Sequence, residues 1–426
     1  MPISEDFENR FAPLLKGIIR HYGTPFHLYD EVGIRETGKQ LLKVFSLFQG
    51  FREYFAVKAL PNPTILRIMR TMGFGFDCSS QAELRLARMV GARGHDIIFT
   101  SNNTSRFEFH AAEEEGGVIL NLDDISLVPK VPIMPDLIAF RYNPGGQRTG
   151  NAIIGNPLEA KYGASRDQLL PAYRRARARG ARRFGLHTML VSNELNHVYM
   201  LKTTRMLLEL IEELGSELDT DFEFINIGGG LGIPYRPEEK PFDIEAMAEG
   251  IAPLFHDFQS RNGYAPKLYM ESGRYMTGPH GVLLTKAINR KAIYRTYVGV
   301  DACMSALMRP AMYGAYHHIT VFDRDGVKKR GGNMEIVDVV GSLCENNDKF
   351  AVQRSLPRVR EGDILCIHDT GAHGHAMGFN YNGRVRPKEL LLRADGAVAL
   401  IRREEILDDL FATLQFEADV FQQPSR

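Results

Sequence analysis

The sequence predicts an α/β protein: a (β/α)8 TIM barrel followed by a C-terminal antiparallel β-domain. Three observations carry that reading. Short apolar runs rich in β-branched and aromatic residues alternate with helical patterns over the first two thirds of the 426 residues. Eight such runs occur, the number that closes a barrel. Beyond about residue 276 the long helical patterns stop and short β-rich segments take over.

In order, the runs are YFAV (54–57), FGF (74–76), IIF (97–99), VIL (118–120), LIAF (137–140), FGL (184–186), FEFINI (222–227) and LYM (268–270). Between them apolar residues recur at helical spacing, as in Ile65, Ile68, Met69 and Met72, or Leu84, Ala87 and Val90. Such alternation calls for parallel strands with crossover helices; an open doubly wound sheet is the competing arrangement. The strand endings favour the barrel. The runs lead into Lys58, Asp77, the Ser101–Asn102–Asn103 cluster, Asp123, Arg141 with Asn143, His187, the Gly228–Gly230 triplet, and Glu271 with Arg274. Barrel enzymes build their sites from side chains at the carboxyl ends of many strands.

The later segments GVLLTKAI, YRTYVGV, HHITVFD, MEIVDVV and GDILCIHD are separated by turn signals such as Asp325–Gly326 and Gly331–Gly332. They read as antiparallel strands, with TPFHLYD (24–30) joining them and the next long helix near 403–415. The expected division is therefore a barrel over 32–276, and a β-domain made of 1–31 and 277–426.

Composition narrows the class. Lysine plus arginine (52) equals aspartate plus glutamate (52), so no global field favours nucleic acid or an anionic membrane. No apolar stretch approaches the length of a membrane span, and MPISEDFENR lacks the layout of a secretion signal. Cys78, Cys303, Cys344 and Cys366 are scattered without a CxxC pair, which fits a reducing cytoplasm. The basic run YRRARARGARR (173–183) reads as a solvated helix face rather than a phosphate or nucleic-acid patch. A cytoplasmic enzyme acting on a small molecule is the expectation.

Lys58 follows four apolar residues, and burial lowers an amine's pKa and favours imine formation. The glycine-rich turn in FINIGGGLGIPY exposes backbone N–H groups that can cradle a phosphate, although tight loops use the same residues. A lysine and a phosphate cradle on one barrel point to pyridoxal 5′-phosphate, with Glu271 placed to keep its pyridine nitrogen protonated.

At this point the chain resembles the alanine-racemase-fold, pyridoxal-phosphate-dependent amino-acid decarboxylases, and among them the diaminopimelate decarboxylases. The likeness runs from about residue 24 to about 395 and rests on six motifs in the family's order. YFAVKALPNP matches the cofactor-lysine motif, INIGGGLGIPY the phosphate-binding glycine motif, and ESGRYMTG the Glu-Pro-Gly-Arg motif with Ser272 for proline. RPAMYGAYHHI, GSLCENNDKF and GAHGHAMGFNYNGRVRP match the Arg-Pro…Tyr, Cys-Glu…Asp and Gly-Ala-Tyr…Asn-Tyr-Asn elements.

The resemblance implies a homodimer with shared active sites. Lys58 would carry the cofactor, with Asp77, Met189, Ser192, Gly228, Gly229, Gly230, Glu271, Gly273, Arg274 and His373 around it. Cys344, supplied across the dimer interface, would be the general acid that returns a proton after carbon dioxide leaves. Glu345 would hold the ammonium group at the reacting end, and Arg274, Arg309 and Tyr313 would meet substrate carboxylate, with His373 also contacting substrate. Glutamate after the cysteine separates this pattern from the ornithine-type decarboxylases, which have aspartate there. The implied reaction is decarboxylation of meso-2,6-diaminopimelate to L-lysine, a step of lysine biosynthesis.

Two positions depart from the family. His373 stands where the family has tyrosine, and Met189 stands where a histidine stacks on the pyridine ring, within GLHTMLVS, whose His187 and Ser192 match. A thioether can pack on a π-face but donates no hydrogen bond, whereas His373 can donate and titrates near neutrality. These changes bear on substrate choice. A decarboxylase of D-lysine, D-ornithine or a carrier-bound amino acid is the runner-up. A catalytically silent homologue is disfavoured because Lys58 and Cys344 are both present. The histidines at 368, 373 and 375 lack a zinc-ligand spacing, so no metal is expected.

Overall fold

The computed structural model describes residues 3–150 and 155–415, so the outer ends of the expected β-domain, 1–2 and 416–426, lie outside the described residues. The first strand, β1 (Phe26–Asp30), precedes the barrel. All eight expected runs then form strands: β2 (Arg52–Ala56), β3 (Gly75–Cys78), β4 (Ile97–Phe99), β5 (Ile119–Leu122), β6 (Leu137–Arg141), β7 (Arg183–His187), β8 (Phe222–Asn226) and β9 (Lys267–Met270). They pair in parallel in chain order, and β2 closes the barrel against β9.

The bore is filled by Tyr54, Ile98, Ile119, Leu137, Ala139, Phe224 and Tyr269. Two strand glycines make room for these rings. A Cβ on Gly185 would lie 2.2 Å from the Phe224 ring, and one on Gly75 would lie 2.5 Å from Tyr54. Outside the strands a second, larger core joins the barrel to its helices through residues such as Phe55, Phe76, Leu186 and Ile225. Burial on both faces explains why these strands read as continuous apolar runs.

The remaining strands are β10 (Gly281–Ala292), β11 (Thr296–Val300), β12 (Ile319–Phe322), β13 (Met334–Val340), β14 (Lys349–Pro357), β15 (Ile364–Ile367), β16 (Lys388–Leu392) and β17 (Val398–Arg402). With β1 they form one sheet. Most neighbours are antiparallel, as expected, but β1 runs parallel to β16 and β11 parallel to β13. The helix expected over 403–415 is a short element, Leu407–Phe411.

Two helices not anticipated, Glu5–Phe11 and Leu15–Tyr22, cover this sheet. Phe7, Phe11, Leu15 and Ile18 pack on Phe26, Leu28, Val282 and Leu284, and Ser4 caps the first helix through its hydroxyl. Of the basic run, 173–178 lie on the helix Arg166–Ala178, where Tyr173 and Ala176 face the core and Arg174 pairs with Glu217 in solvent; the rest leaves the helix and runs into β7, which begins at Arg183.

Candidate active site

Lys58 sits in the single turn Val57–Ala59 that leaves β2, and Asp77 is within the next strand, β3. Their side chains meet, with Lys58 Nζ donating to Asp77 Oδ2 at 3.0 Å. The Lys58 side chain is 49% exposed at the barrel mouth whereas Asp77 is buried, and Asp77 Oδ1 has no partner. Burial alone would lower the Lys58 pKa, as the sequence suggested. Asp77 and Glu271 outweigh it and hold the amine above its ordinary value. Burial and the Glu271 charge in turn push the Asp77 carboxyl up, against the pull of Lys58.

Glu271 follows β9 and is almost fully enclosed. Asn226 Nδ2 donates to its Oε1 at 2.7 Å, and His187 Nε2 lies 3.3 Å from its Oε2. Burial raises this carboxyl, but His187, Lys58 and the Asn226 amide bring it down to about 2. It is therefore a fixed anion, suited to face a protonated nitrogen. His187 Nδ1 is buried with no partner.

The glycine turn follows β8. Gly228 and Gly230 adopt φ of +71° and +92°, and a Cβ on Gly228, Gly229 or Gly230 would strike a neighbouring carbonyl at 2.3–2.4 Å. The carbonyls belong to Thr188, Glu271 and Val191, so the turn is wedged between the loops that follow β7 and β9. Met189 enters here: its Sδ accepts from Gly229 N–H at 3.3 Å, a contact not foreseen from its place in the motif. Gly273 begins the short helix Gly273–Thr277, and a Cβ there would press on Ala59 and Ala56 beside Lys58.

Arg274, next in that helix, donates to Ser192 Oγ at 3.1 Å and to Tyr235 Oη at 2.5 Å. Arg309, which opens the short helix Arg309–Tyr313, is buried and donates to His317 Nε2 at 2.8 Å. Tyr313, one turn on, is 40% exposed. No carboxylate lies within ion-pair distance of Arg274 or Arg309 among the described residues. His373 is joined to the lysine loop, its backbone N–H donating to Ala59 O at 2.9 Å. Its ring does not titrate near neutrality, contrary to expectation: burial, Arg274, Arg309 and Lys58 hold it well below that range.

Cys344 and Glu345 stand apart from this group. Both are exposed and line a groove of about 590 Å³ whose walls come from the sheet, including Ile288, Tyr297 and Val340. Asn382 Oδ1 fixes the loop by accepting from Cys344 N–H at 2.7 Å, while Glu345 accepts from Asn347 N–H at 3.0 Å. The other histidines of the expected non-metal cluster diverge, His368 bonding Thr320 and His375 bonding the Pro387 carbonyl.

Three site residues escaped the sequence reading. Asn226 hides inside the apolar run FEFINI, although its polarity beside the glycine turn is a signal. Tyr235 ends the same motif, and His317 lies within RPAMYGAYHHI. The barrel mouth fits pyridoxal 5′-phosphate by its own features: an accessible amine, a glycine-only turn, an ionised carboxylate, and buried Asp77 and His187 atoms awaiting partners.

Comparisons with known proteins agree. A family model described as pyridoxal-dependent decarboxylase, pyridoxal binding domain, matches residues 34–278. Protein TabA of Pseudomonas amygdali pv. tabaci is 48% identical over 100% of this chain and 99% of its own. Diaminopimelate decarboxylase of Methanothermobacter thermautotrophicus is 37% identical over 91% of each chain. The crystal structure of diaminopimelate decarboxylase from M. jannaschii in co-complex with L-lysine has a TM-score of 0.85 at 29% identity, covering 93% of each chain.

Proposed function

The chain belongs to the pyridoxal-dependent decarboxylases, carboxy-lyases that use pyridoxal 5′-phosphate, and from that premise we propose that it converts meso-2,6-diaminopimelate to L-lysine and carbon dioxide. One observation carries the substrate reading: Arg309 is 3% exposed and no carboxylate lies within ion-pair distance of it among the described residues, Asp369 acting on it only from farther off. A buried guanidinium needs an anion, and the distal carboxylate of diaminopimelate is one. The similarity to diaminopimelate decarboxylases over most of the chain supports the same choice.

The residues divide the work. Lys58 holds the cofactor, with Asp77 beside its amine. Glu271 would keep a proton on the pyridine nitrogen, and Met189, whose Sδ packs on the glycine turn, would border the cofactor. The turn Gly228–Gly230 with Ser192, Gly273 and Arg274 receives the phosphate. The chemistry supplied by bound pyridoxal 5′-phosphate is an electron sink at the carbon losing its carboxylate. Arg309 and Tyr313 fix the distal carboxylate, and neutral His373 offers a ring nitrogen to cofactor or substrate. Glu345 holds the reacting-end ammonium, and Cys344 Sγ delivers a proton to the substrate carbon.

Because Cys344 faces its own groove, we take it to serve a second copy of the chain. Exposed Ile288 and Ile293 line that groove with Cys344, apolar surface suited to a homodimer. We assign 32–276 to the cofactor-binding barrel, and 1–31 with 277–426 to the unit that completes the site and the dimer interface. Four free cysteines accord with a cytoplasmic setting in lysine biosynthesis, and no described helix is long and apolar enough to cross a membrane.

A second reading is decarboxylation of a related amino acid such as D-lysine, D-ornithine or a carrier-bound one; Protein TabA, whose name states no substrate, shares more identity with the chain than the diaminopimelate decarboxylase of Methanothermobacter thermautotrophicus does. Carbon dioxide release from separate stereoisomers of diaminopimelate, lysine and ornithine decides between them. Preference for meso-diaminopimelate is the expected result; preference for a substrate without a distal carboxylate selects the second reading.

A further inference from the structure

Arg274 and Arg309 come from different parts of the fold, one from the barrel after β9 and the other from the segment between β11 and β12. Both are buried and neither has a carboxylate partner among the described residues. Two like charges in a shared enclosure repel, so something must hold them in place. The structure puts one side chain between them.

Tyr235 is 6% exposed and touches both arginines. Its hydroxyl accepts from Arg274 Nη1 at 2.5 Å. Its ring centroid lies 4.5 Å from the Arg309 guanidinium carbon, within cation–π distance, and 5.8 Å from that of Arg274. The ring edge meets His317 at 5.1 Å and 72°, and His317 Nε2 is the acceptor for Arg309. His317 Nδ1 sits 2.7 Å from His368 O, so the ring nitrogen facing Arg309 is free of a proton and accepts. Tyr235 and His317 thus bracket Arg309 without neutralising it.

The loop carrying Tyr235 is pinned on both sides. Glu239 Oε2 accepts from Tyr235 N–H at 2.9 Å and from Arg236 N–H at 3.1 Å, and Asn193 Oδ1 accepts from Ile233 N–H at 2.9 Å. Asn193 is next to Ser192, the other partner of Arg274. A side chain on so constrained a backbone can set a separation between two groups.

We propose that Tyr235 is a positioning residue that spaces the two guanidinium groups, its hydroxyl aiming Arg274 at the cofactor phosphate and its ring holding Arg309 for the substrate carboxylate. This rests on the roles given to the two arginines above. The hydroxyl and the ring do separable jobs, so substitutions separate them. Tyr235→Phe keeps the ring against Arg309 and removes the anchor of Arg274. Tyr235→Leu removes both.

The test compares the two variants with wild type and Arg309→Ala. It measures the rate of pyridoxal 5′-phosphate release from the holoenzyme by absorbance, and KM and kcat for meso-diaminopimelate at saturating cofactor. Tyr235→Phe should speed cofactor release by roughly 2- to 10-fold, the range of one hydrogen bond, and leave KM within about twofold. Tyr235→Leu should in addition raise KM by roughly 3- to 30-fold with kcat little changed, as lost cation–π contact and lost uniform binding require. If Tyr235→Phe changes release and KM equally, or changes neither, the proposal is overturned, and this holds even where the leucine variant does not fold. An Arg309→Ala enzyme with raised KM beside a Tyr235→Leu enzyme with wild-type KM also overturns it. Failure of the substrate reading looks different: Arg309→Ala itself would leave KM unmoved, while the cofactor-release result would stand.

Discussion

Lys58 Nζ lies 3.0 Å from Asp77 Oδ2, and the second Asp77 oxygen is buried with no partner. The pair holds the amine at the barrel mouth, in reach of a cofactor and anchored when none is there. Lys58→Ala should abolish the absorbance of lysine-bound cofactor and lower kcat on the order of 100-fold or more, the scale of losing a group that also moves protons. Full activity with retained absorbance would remove Lys58 from the reaction.

Cys344 opens on a groove of the sheet, away from Lys58. Homodimers with shared sites can regain function when two different defects meet. Mixing inactive Lys58→Ala with inactive Cys344→Ala chains should restore one competent site of the two in each mixed dimer. Activity should follow the fraction of mixed dimers; none returning under conditions that exchange subunits would refute the shared site.

Arg309 should read the far end of the substrate. Without its guanidinium the distal carboxylate loses a partner, a cost on the order of 2–5 kcal/mol or roughly 30- to several-thousand-fold in kcat/KM. Arg309→Ala should therefore damage turnover of diaminopimelate far more than any residual turnover of D-lysine. Equal damage to both would show that this arginine does not discriminate.

Glu53 gives a pH signature of stability. It is buried in β2, its Oε1 accepts from Ser272 N–H at 2.5 Å, and Oε2 has no partner. Burial pushes its carboxyl up to about 8; the Ser272 bonds oppose that and the Glu271 charge adds to it. Between its ordinary value and about 8 the folded chain keeps a proton that the unfolded chain releases. Stability therefore falls as pH rises through that window, by an amount on the order of a few kcal/mol. Glu53→Gln keeps the acceptor and removes the titration. Melting curves from pH 5 to 9 should fall less steeply for the variant, and parallel curves would show that Glu53 is not the cause.

The barrel was legible because parallel strands buried on both faces appear as apolar runs, and because their endings carry Lys58, Asp77, His187 and Glu271. Pairings between distant segments were not. Nothing local to FHLYD announces a parallel partner at 388–392, and amphipathic positions such as Phe7 and Phe11 went unused as a helix signal. In the site, residue types and order pointed to the chemistry, but charge states depend on distances. Lys58 was read from burial alone, and its two carboxylate neighbours reverse the outcome. His373 was read from its ordinary titration, and burial, with two arginines and a lysine, suppresses it. Tyr235 looked like the end of a glycine motif because its partners arrive from remote segments.

The pairing of Phe26 with both Leu284 and Lys388 sets an order of events during synthesis. Strand β1 leaves the ribosome before any barrel strand, yet its hydrogen-bonding neighbours are translated only after the barrel is complete. At roughly 5–20 residues per second that interval is on the order of tens of seconds. A nascent chain thus carries an unpaired strand, buried along its whole length in the folded protein, through the whole time the barrel closes. The helices Glu5–Phe11 and Leu15–Tyr22 are made before that strand, and in the folded protein Phe7, Phe11, Leu15 and Ile18 cover Phe26 and Leu28 on one face of it. Those helices act as an early shield for a strand that has to wait.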